Sequence, residues 1–472
     1  MRRSVWIILA IVLVTTITLI PPGAALSNRT TLLMTVWGMP FEDMLFEEGY
    51  ARGFEAEHAG AIEVDYERFG SDLTQKYYAW NLRGESADVM RVRITDYHAL
   101  VEKGVLLPLN EFIRHPKYGL TDDEIADYFP AIWRQLEIDE TWYALPSDNA
   151  QYGLYYNKRI FDDYNAAHPE TPLAYPDASW GWNDLARAAE SLTQRSEDGT
   201  IEQFGIGFDL WAWPFMAFLH QAGGRLWDDA GTTTLIASDE GVAALEFLVS
   251  LIPSDAPIRS PELADSATGP ATLFALDRQA MLLDGSWRAP SLEKTNPDLE
   301  YAVAPLPMGE DRAVISGSVL WAVGAHTEHP LWAWRMIKWM TSEEQSLRYW
   351  DTLRVAPPAR VSVVQGPGFR STSGLVDDGG QVRVPPMRAA QFADRAEWIV
   401  FGMTPNPTTD RAPAFVPVGV YQADLESKIT GALVAAVRGA KSPRRALEDA
   451  ARDMHAVIDR DRAAKGLPPV DR

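Results

Sequence analysis

Apolar positions along the chain recur with two different periods, and each change of period marks an element. Thr31 to Trp37 is a largely apolar run of strand length, and the Gly38-Met39-Pro40 turn leads from it into a helical pattern from about Phe41 to His58. In Ile62 to Phe69, the apolar residues Ile62, Val64 and Tyr66 alternate with charged neighbours, as in a strand with one face on a core. Ser71 is placed to cap the next helix, which carries Leu73 and Tyr77 four residues apart. Ala87-Asp88-Val89-Met90 predicts a third strand and Tyr97 to Lys103 a third helix. Such alternation predicts an α/β fold whose mainly parallel sheet is covered by helices on both faces.

The pattern breaks at Trp142 to Asp148, where Pro146 interrupts a strand-like run that resumes as Tyr152 to Lys158. A proline-marked extended segment between two packed regions suits a crossing between domains, and Tyr301 to Pro307 is a second candidate. Helices are expected at Trp182 to Gln194, Pro214 to Ala222, Gly241 to Leu251, Leu331 to Met340 and Ala446 to Ile458, with a strand at Leu320 to Gly324. Pro253 to Pro270, Gly366 to Pro386 and Met403 to Pro417 have loop composition. The most pointed local pattern is Ala280-Met281-Leu282-Leu283-Asp284-Gly285-Ser286-Trp287, an apolar strand running into a tight turn that ends on an indole. A ring at the carboxyl end of a strand in an α/β sheet stands where ligands bind. Its flat apolar face suits the apolar face of a sugar ring, with polar neighbours satisfying the hydroxyls.

Composition narrows the class. A chain of 472 residues that is 46% hydrophobic can bury two cores of ordinary domain size. The absence of cysteine excludes disulfides, thiolate nucleophiles, zinc–thiolate sites and a cysteine-linked lipid anchor. A formal charge of −22 repels phosphate backbones and anionic headgroups, so nucleic acid is not an expected partner. Arg2 and Arg3 precede the apolar run Val5 to Ile20, and the small residues Gly23 and Ala25 follow it. Residues 1–26 therefore read as a signal peptide cleaved near Ala25, with an uncleaved membrane anchor as the alternative. Either way the bulk of the chain is expected outside the cytoplasmic membrane, in the periplasm or on its outer face.

In order along the chain stand T-V-W-G near the start, A-D-V followed by V-E-K-G-V-L-L-P-L, Y-A-L-P-S-D, L-Y-Y-N-K-R-I-F, H-Q-A-G-G-R-L-W-D-D, A-M-L-L-D-G-S-W, V-A-P-L-P-M-G, I-S-G-S-V-L-W-A-V, P-L-W-A-W-R-M-I-K-W-M and S-P-R-R-A-L-E-D-A. This ordered set, from about Thr31 to Ile458, resembles the extracellular solute-binding proteins of ABC importers, in particular the sugar-binding family that includes maltose-binding protein. The resemblance implies a two-lobed periplasmic-binding-protein-like fold of type II with hinge connections. Residues 27–146 and 303–345 would form lobe 1, and 147–302 and 346–472 lobe 2. A mono- or oligosaccharide would be held between the lobes and passed by a monomer to the permease subunits of an ABC importer, without a cofactor or metal. By family position, the ligand-binding candidates are Trp37, Glu42, Asp148, Asn149, Trp211, Trp213, Trp287, Ser316, Gly317 and Tyr421, with Asp148 reading equally well as a hinge hydrogen-bond partner that never touches ligand.

One departure from the family pattern concerns charge. After Ala87-Asp88-Val89 the chain continues Met90-Arg91-Val92-Arg93, and a guanidinium there would pair either with a ligand carboxylate or with an acidic neighbour. Arg91 therefore joins the candidates, with Arg93 beside it. Trp332, Trp334 and Trp339 sit at helical spacing and read as packing residues, and the His326/His329 pair, followed at once by Pro330, reads as a solvated turn. No nucleophile elbow, H-E-x-x-H helix or phosphate-binding glycine loop occurs, so the chain is expected not to be an enzyme. Two readings stand beside this: a secreted glycoside hydrolase with paired carboxylates across the cleft, and a membrane-tethered sensor domain of the same fold.

Overall fold

Two mixed sheets, each with its own core and covering helices, organise the chain in the computed structural model, which describes residues 29–38, 40–70, 72–252, 269–366, 369, 375–376, 382–384 and 419–471. The first sheet runs in the order Ile62–Phe69, Thr30–Trp37, Val89–Arg93, Val319–Val323, Ala144–Pro146. Its founding strand buries Leu32, Met34 and Val36 completely, a period-two stripe against the helical segment that carries Phe46 and Tyr50. Ile62 and Val64 lie in parallel register with Thr30 and Leu32, which continues that stripe onto the next strand. The second sheet runs Tyr301–Ala304, Ala150–Asn157, Gln279–Gly285, Ile201–Phe208, Gln194–Arg195, with Ser316–Gly317 pairing the near end of Ala150–Asn157. Every residue of Gln279–Gly285 is buried, which fits its central place.

The sheets are mixed, where the sequence predicts mainly parallel ones. In the first, Val319–Val323 is antiparallel to both of its neighbours; in the second, Ala150–Asn157 is antiparallel to both Gln279–Gly285 and Tyr301–Ala304. Both reversed strands are entered directly from the other sheet at its facing edge. A strand reached that way runs opposite to one reached through a helical crossover.

The domain boundaries expected at 303 and 345 also move. Tyr301–Ala304 belongs wholly to the second sheet, and the chain rejoins the first sheet only at Val319. Beyond 345, Tyr349, Leu353, Val355, Ala356 and Ala359 still pack in the first core. The C-terminal helices Gln422–Val437 and Pro443–Ala464 cover the second core through Leu425, Leu433, Leu447 and Met454. Trp334 is fully buried in the first core, with Trp332 and Trp339 against it, as the helical spacing predicts.

Several elements were not anticipated. The strand Ile201–Phe208 carries Gly205 and Gly207, which dilute its β pattern. Gly205 is required by packing, because a Cβ there would lie 1.8 Å from the Ala189 carbonyl oxygen of the helix laid against it. The helices Glu343–Leu353 and Gln422–Val437 are likewise additions, and the closing helix spans 22 residues. Within Gly366 to Pro386, Leu375–Val376 and Val382–Val384 form a short antiparallel ladder instead of irregular loop. The proposed signal segment 1–26, Met39, Ser71, most of Pro253 to Pro270 and all of Met403 to Pro417 lie outside the described residues. No described helix is long and apolar enough to cross a membrane.

Candidate functional site

Strand order brings the indoles together. Ile201–Phe208 and Gln279–Gly285 are parallel neighbours, with Phe208 opposite Leu283, so their carboxyl ends open side by side. The chain leaving the first carries Trp211 and Trp213 into the helix Ala212–Gln221, and the chain leaving the second turns onto Trp287. Trp211 and Trp213 stack with centroids 5.2 Å apart and planes 3° from parallel. Trp287 stands edge-on to both, at 6.0 Å and 80° from Trp211 and 5.5 Å and 79° from Trp213. Tyr152 lies 6.3 Å from each of the three, its hydroxyl donating to the Leu283 carbonyl at 2.9 Å.

Two glycines make this grouping possible. A Cβ on Gly285 would lie 2.2 Å from the Trp287 ring, so only glycine lets that indole fold back over its own strand end. A Cβ on Gly317 would meet Trp213 at 2.8 Å and Ile94 at 3.5 Å, so the Trp213 ring lies against the returning crossing and next to the end of a first-sheet strand. Trp287 is partly exposed and packs against both cores. The aromatic floor thus lies at the junction of the two halves.

Charged side chains frame it. Arg288, next to Trp287, donates from Nε to Asp284 at 2.5 Å and bridges through Nη2 to Asp209 at 3.3 Å, tying together the turns that carry the indoles. On the first-sheet wall, Arg91 is 3% exposed; its Nη1 donates to the Trp37 carbonyl at 2.5 Å and to Glu42 at 3.2 Å. Its guanidinium is held between the rings of Trp37 at 4.2 Å and Phe46 at 4.4 Å. A Cβ on Gly38 would sit 2.5 Å from the Glu42 carboxylate and 3.1 Å from Arg91, so the Gly38 turn is shaped around this ion pair. Arg93 lies 4.7 Å over Trp37 and 3.9 Å from Asp96.

The crossings are tied by buried hydrogen bonds. Asp148 is buried, and its carboxylate accepts from the Val319 amide at 2.9 Å and the Tyr349 hydroxyl at 2.6 Å, while its carbonyl accepts from Ser318 at 2.5 Å. Burial pushes this carboxyl up to about 6, against the opposing pull of those hydrogen bonds and of Arg91. Of the two roles open to it, the hinge hydrogen bond is the one these contacts show for Asp148. Asn149 is also buried; its amide donates to the Pro357 carbonyl at 2.7 Å. Ser316 and Gly317 take their places in register with Gln151 and Ala150.

Tyr421 is likewise hydrogen-bonded within the chain. It caps the helix Gln422–Val437 and gives its hydroxyl to Asp461 at 2.7 Å, within a chain of contacts that runs through Lys465 to Glu102 of the first half. Beside it Glu426 faces Asp96 and Arg93 of the first half, and burial pushes its carboxyl up to about 7. The structure therefore groups Trp211, Trp213, Trp287 and Gly317, brings Trp37, Glu42 and Arg91 together on the first half, and gives Asp148 and Tyr421 hydrogen bonds within the chain. Tyr152, Asp209, Arg288 and Glu426 are additions. Asp209 and Arg288 stand two residues before Trp211 and one after Trp287, the only sequence signal they carry.

A family model described as bacterial extracellular solute-binding protein matches residues 49–376. The multiple sugar-binding protein of Streptococcus mutans is 20% identical over 225 residues, 46% of this chain and 51% of that protein, so the match spans about half the length of this curated relative. Among solved structures, an ABC substrate-binding protein from Listeria monocytogenes in complex with cycloalternan superposes with a TM-score of 0.74 at 19% identity, covering 91% of this chain and 99% of the other. The GacH receptor of Streptomyces glaucescens, solved unliganded and with acarbose, gives 0.70 at 20% identity over 91% and 99%. Maltose-bound MalE3 of T. maritima gives 0.67 at 17% identity over 90% and 99%.

Proposed function

The chain belongs to the bacterial extracellular solute-binding protein family, and from that premise we propose that it binds a mono- or oligosaccharide between its two halves and delivers it to the transmembrane subunits of an ABC importer. The observation that carries this reading is the group of three indoles at the junction, Trp211 and Trp213 stacked and Trp287 edge-on, with Trp287 against both cores. Sugar rings present a flat apolar face that such indoles bury, and the surrounding carboxylates, guanidiniums and backbone groups satisfy the ring hydroxyls. The extended crossings at 146–150 and 317–319 are the hinge, and closure about them excludes water from the bound sugar. The protein works as an exported monomer and releases its ligand chemically unchanged.

The test is calorimetric titration of the mature chain with a panel of oligosaccharides, followed by recovery of the bound sugar. A saturable heat with at least one sugar, and recovery of that sugar intact, is the expected result. No binding across the panel would sink the carbohydrate assignment, and recovery of shortened products would replace a receptor with a hydrolase.

A further inference from the structure

Three guanidiniums stand near the junction, Arg288 next to the Trp287 indole and Arg91 and Arg93 on the first-sheet strand Val89–Arg93, and each is matched by a carboxylate. Arg288 is held by Asp284 and Asp209. Arg91, buried between Trp37 and Phe46, is paired with the equally buried Glu42. Arg93 lies beside Asp96 on the following helix. The carboxylates so engaged are four, those of Asp284, Asp209, Glu42 and Asp96. Carboxyls therefore outnumber guanidiniums here, and the whole chain carries −22.

An anionic ligand entering such a site finds each of these three guanidiniums already paired with a carboxylate. It must lose its hydration and then sit beside carboxylates in a medium of low dielectric. Neutral hydroxyls face no such cost, because guanidinium and carboxylate edges offer donors and acceptors together. Arg91 decides the matter, since its position would make it a carboxylate receptor if Glu42 did not already cancel it.

We propose that the ligand is an uncharged carbohydrate, that uronates and other anionic sugars are rejected, and that Glu42 is the residue that enforces the rejection by neutralising Arg91. This rests on the carbohydrate reading above and sharpens it. Removing the Glu42 charge while keeping its shape leaves the Arg91 guanidinium, held between two rings, without its neutralising carboxylate, so its positive field favours a ligand carboxylate.

The experiment titrates the mature protein with neutral trisaccharides of glucose, mannose and galactose, and with the corresponding triuronates. At least one neutral sugar is expected to bind, with its triuronate weaker by roughly thirty-fold or more, the scale of a like-charge contact of a few kcal/mol. Residual triuronate binding strengthens as salt rises and screens the repulsion, while neutral binding stays level. Glu42→Gln narrows the gap between the two ligands roughly ten-fold, and Asp209→Asn, on the other wall, narrows it independently should the first variant fold poorly. A triuronate that binds as tightly as its neutral partner, or more tightly, overturns the proposal while leaving the carbohydrate reading intact. A gap unmoved by both substitutions overturns the role given to these carboxylates. Binding of neither class removes the carbohydrate reading and this proposal with it.

Discussion

Trp287 holds its place through contacts that no other side chain could make: it folds over Gly285 and meets Trp211 and Trp213 edge-on. Trp287→Ala should weaken carbohydrate binding by about 2 kcal/mol, roughly thirty-fold, with little change in the thermal midpoint because the ring is only partly buried. Calorimetry beside thermal unfolding separates the two effects. Gly285→Ala keeps every indole yet should weaken binding in the same direction, because its methyl occupies the space of the Trp287 ring. Unchanged affinity in that variant would mean that the ring's pose does not matter.

Residues of this kind differ in how far the sequence discloses them. Trp287 was legible because an apolar strand, a tight turn and an indole follow one another in fewer than ten positions. Asp148 was legible as a crossing residue open to either a ligand contact or a hinge hydrogen bond, but its partners Val319 and Tyr349, 171 and 201 residues away, were not. Arg91 left two readings open, and only the turn at Gly38 brings Glu42 close enough to decide between them.

At the scale of elements, the site depends on two strand ends held side by side. Arg288 bridges Asp284 at the end of one to Asp209 after the other, with all three side chains mostly buried. Arg288→Met should leave those two carboxylates facing each other and let the turns part. We expect roughly ten-fold weaker sugar binding and a reduced near-ultraviolet dichroism from the coupled indoles, a signal that a general loss of stability short of unfolding would not touch. The α/β class and helices such as Trp182–Ser191 and Asp239–Ser250 followed from periodicity, whereas Lys158–Ala167, Glu343–Leu353 and Gln422–Val437 did not. The mixed sheets did not, because strand direction is set by which edge the crossing chain enters, and no local pattern encodes that. Ile201–Phe208 escaped for the opposite reason, as the glycine that admits the neighbouring helix also weakens the local strand signal.

Across the whole molecule, the described residues join the two halves at the tied crossings, at the indole floor, at the cluster that packs Trp350 and Phe369 against Tyr155 and Tyr301, and at the face where the C-terminal helices approach the helix Ile94–Glu102. Burial raises the carboxyls of Asp148 to about 6 and of Glu426 to about 7, so for each the folded state prefers the protonated form. Their favourable contribution is present below the ordinary carboxylate range and is lost as pH climbs through those values. Glu426→Gln should therefore flatten the fall in thermal stability between about pH 4.5 and 7, with the variant gaining on the wild type toward the upper end. Parallel profiles across that window would show that Glu426 is not buried against Asp96 and Arg93 in solution. The Lys465–Glu102 contact is half-exposed, and its removal by Lys465→Met should cost no more than about 1 kcal/mol.

The most direct measurement is a crystal structure grown with whichever oligosaccharide binds in titration. A pyranose ring is expected within about 4 Å of the Trp287 indole face, with further contacts from Trp37 or Arg93 across the junction. Sugar density on the outer surface of either half, with the three indoles untouched, would contradict the account.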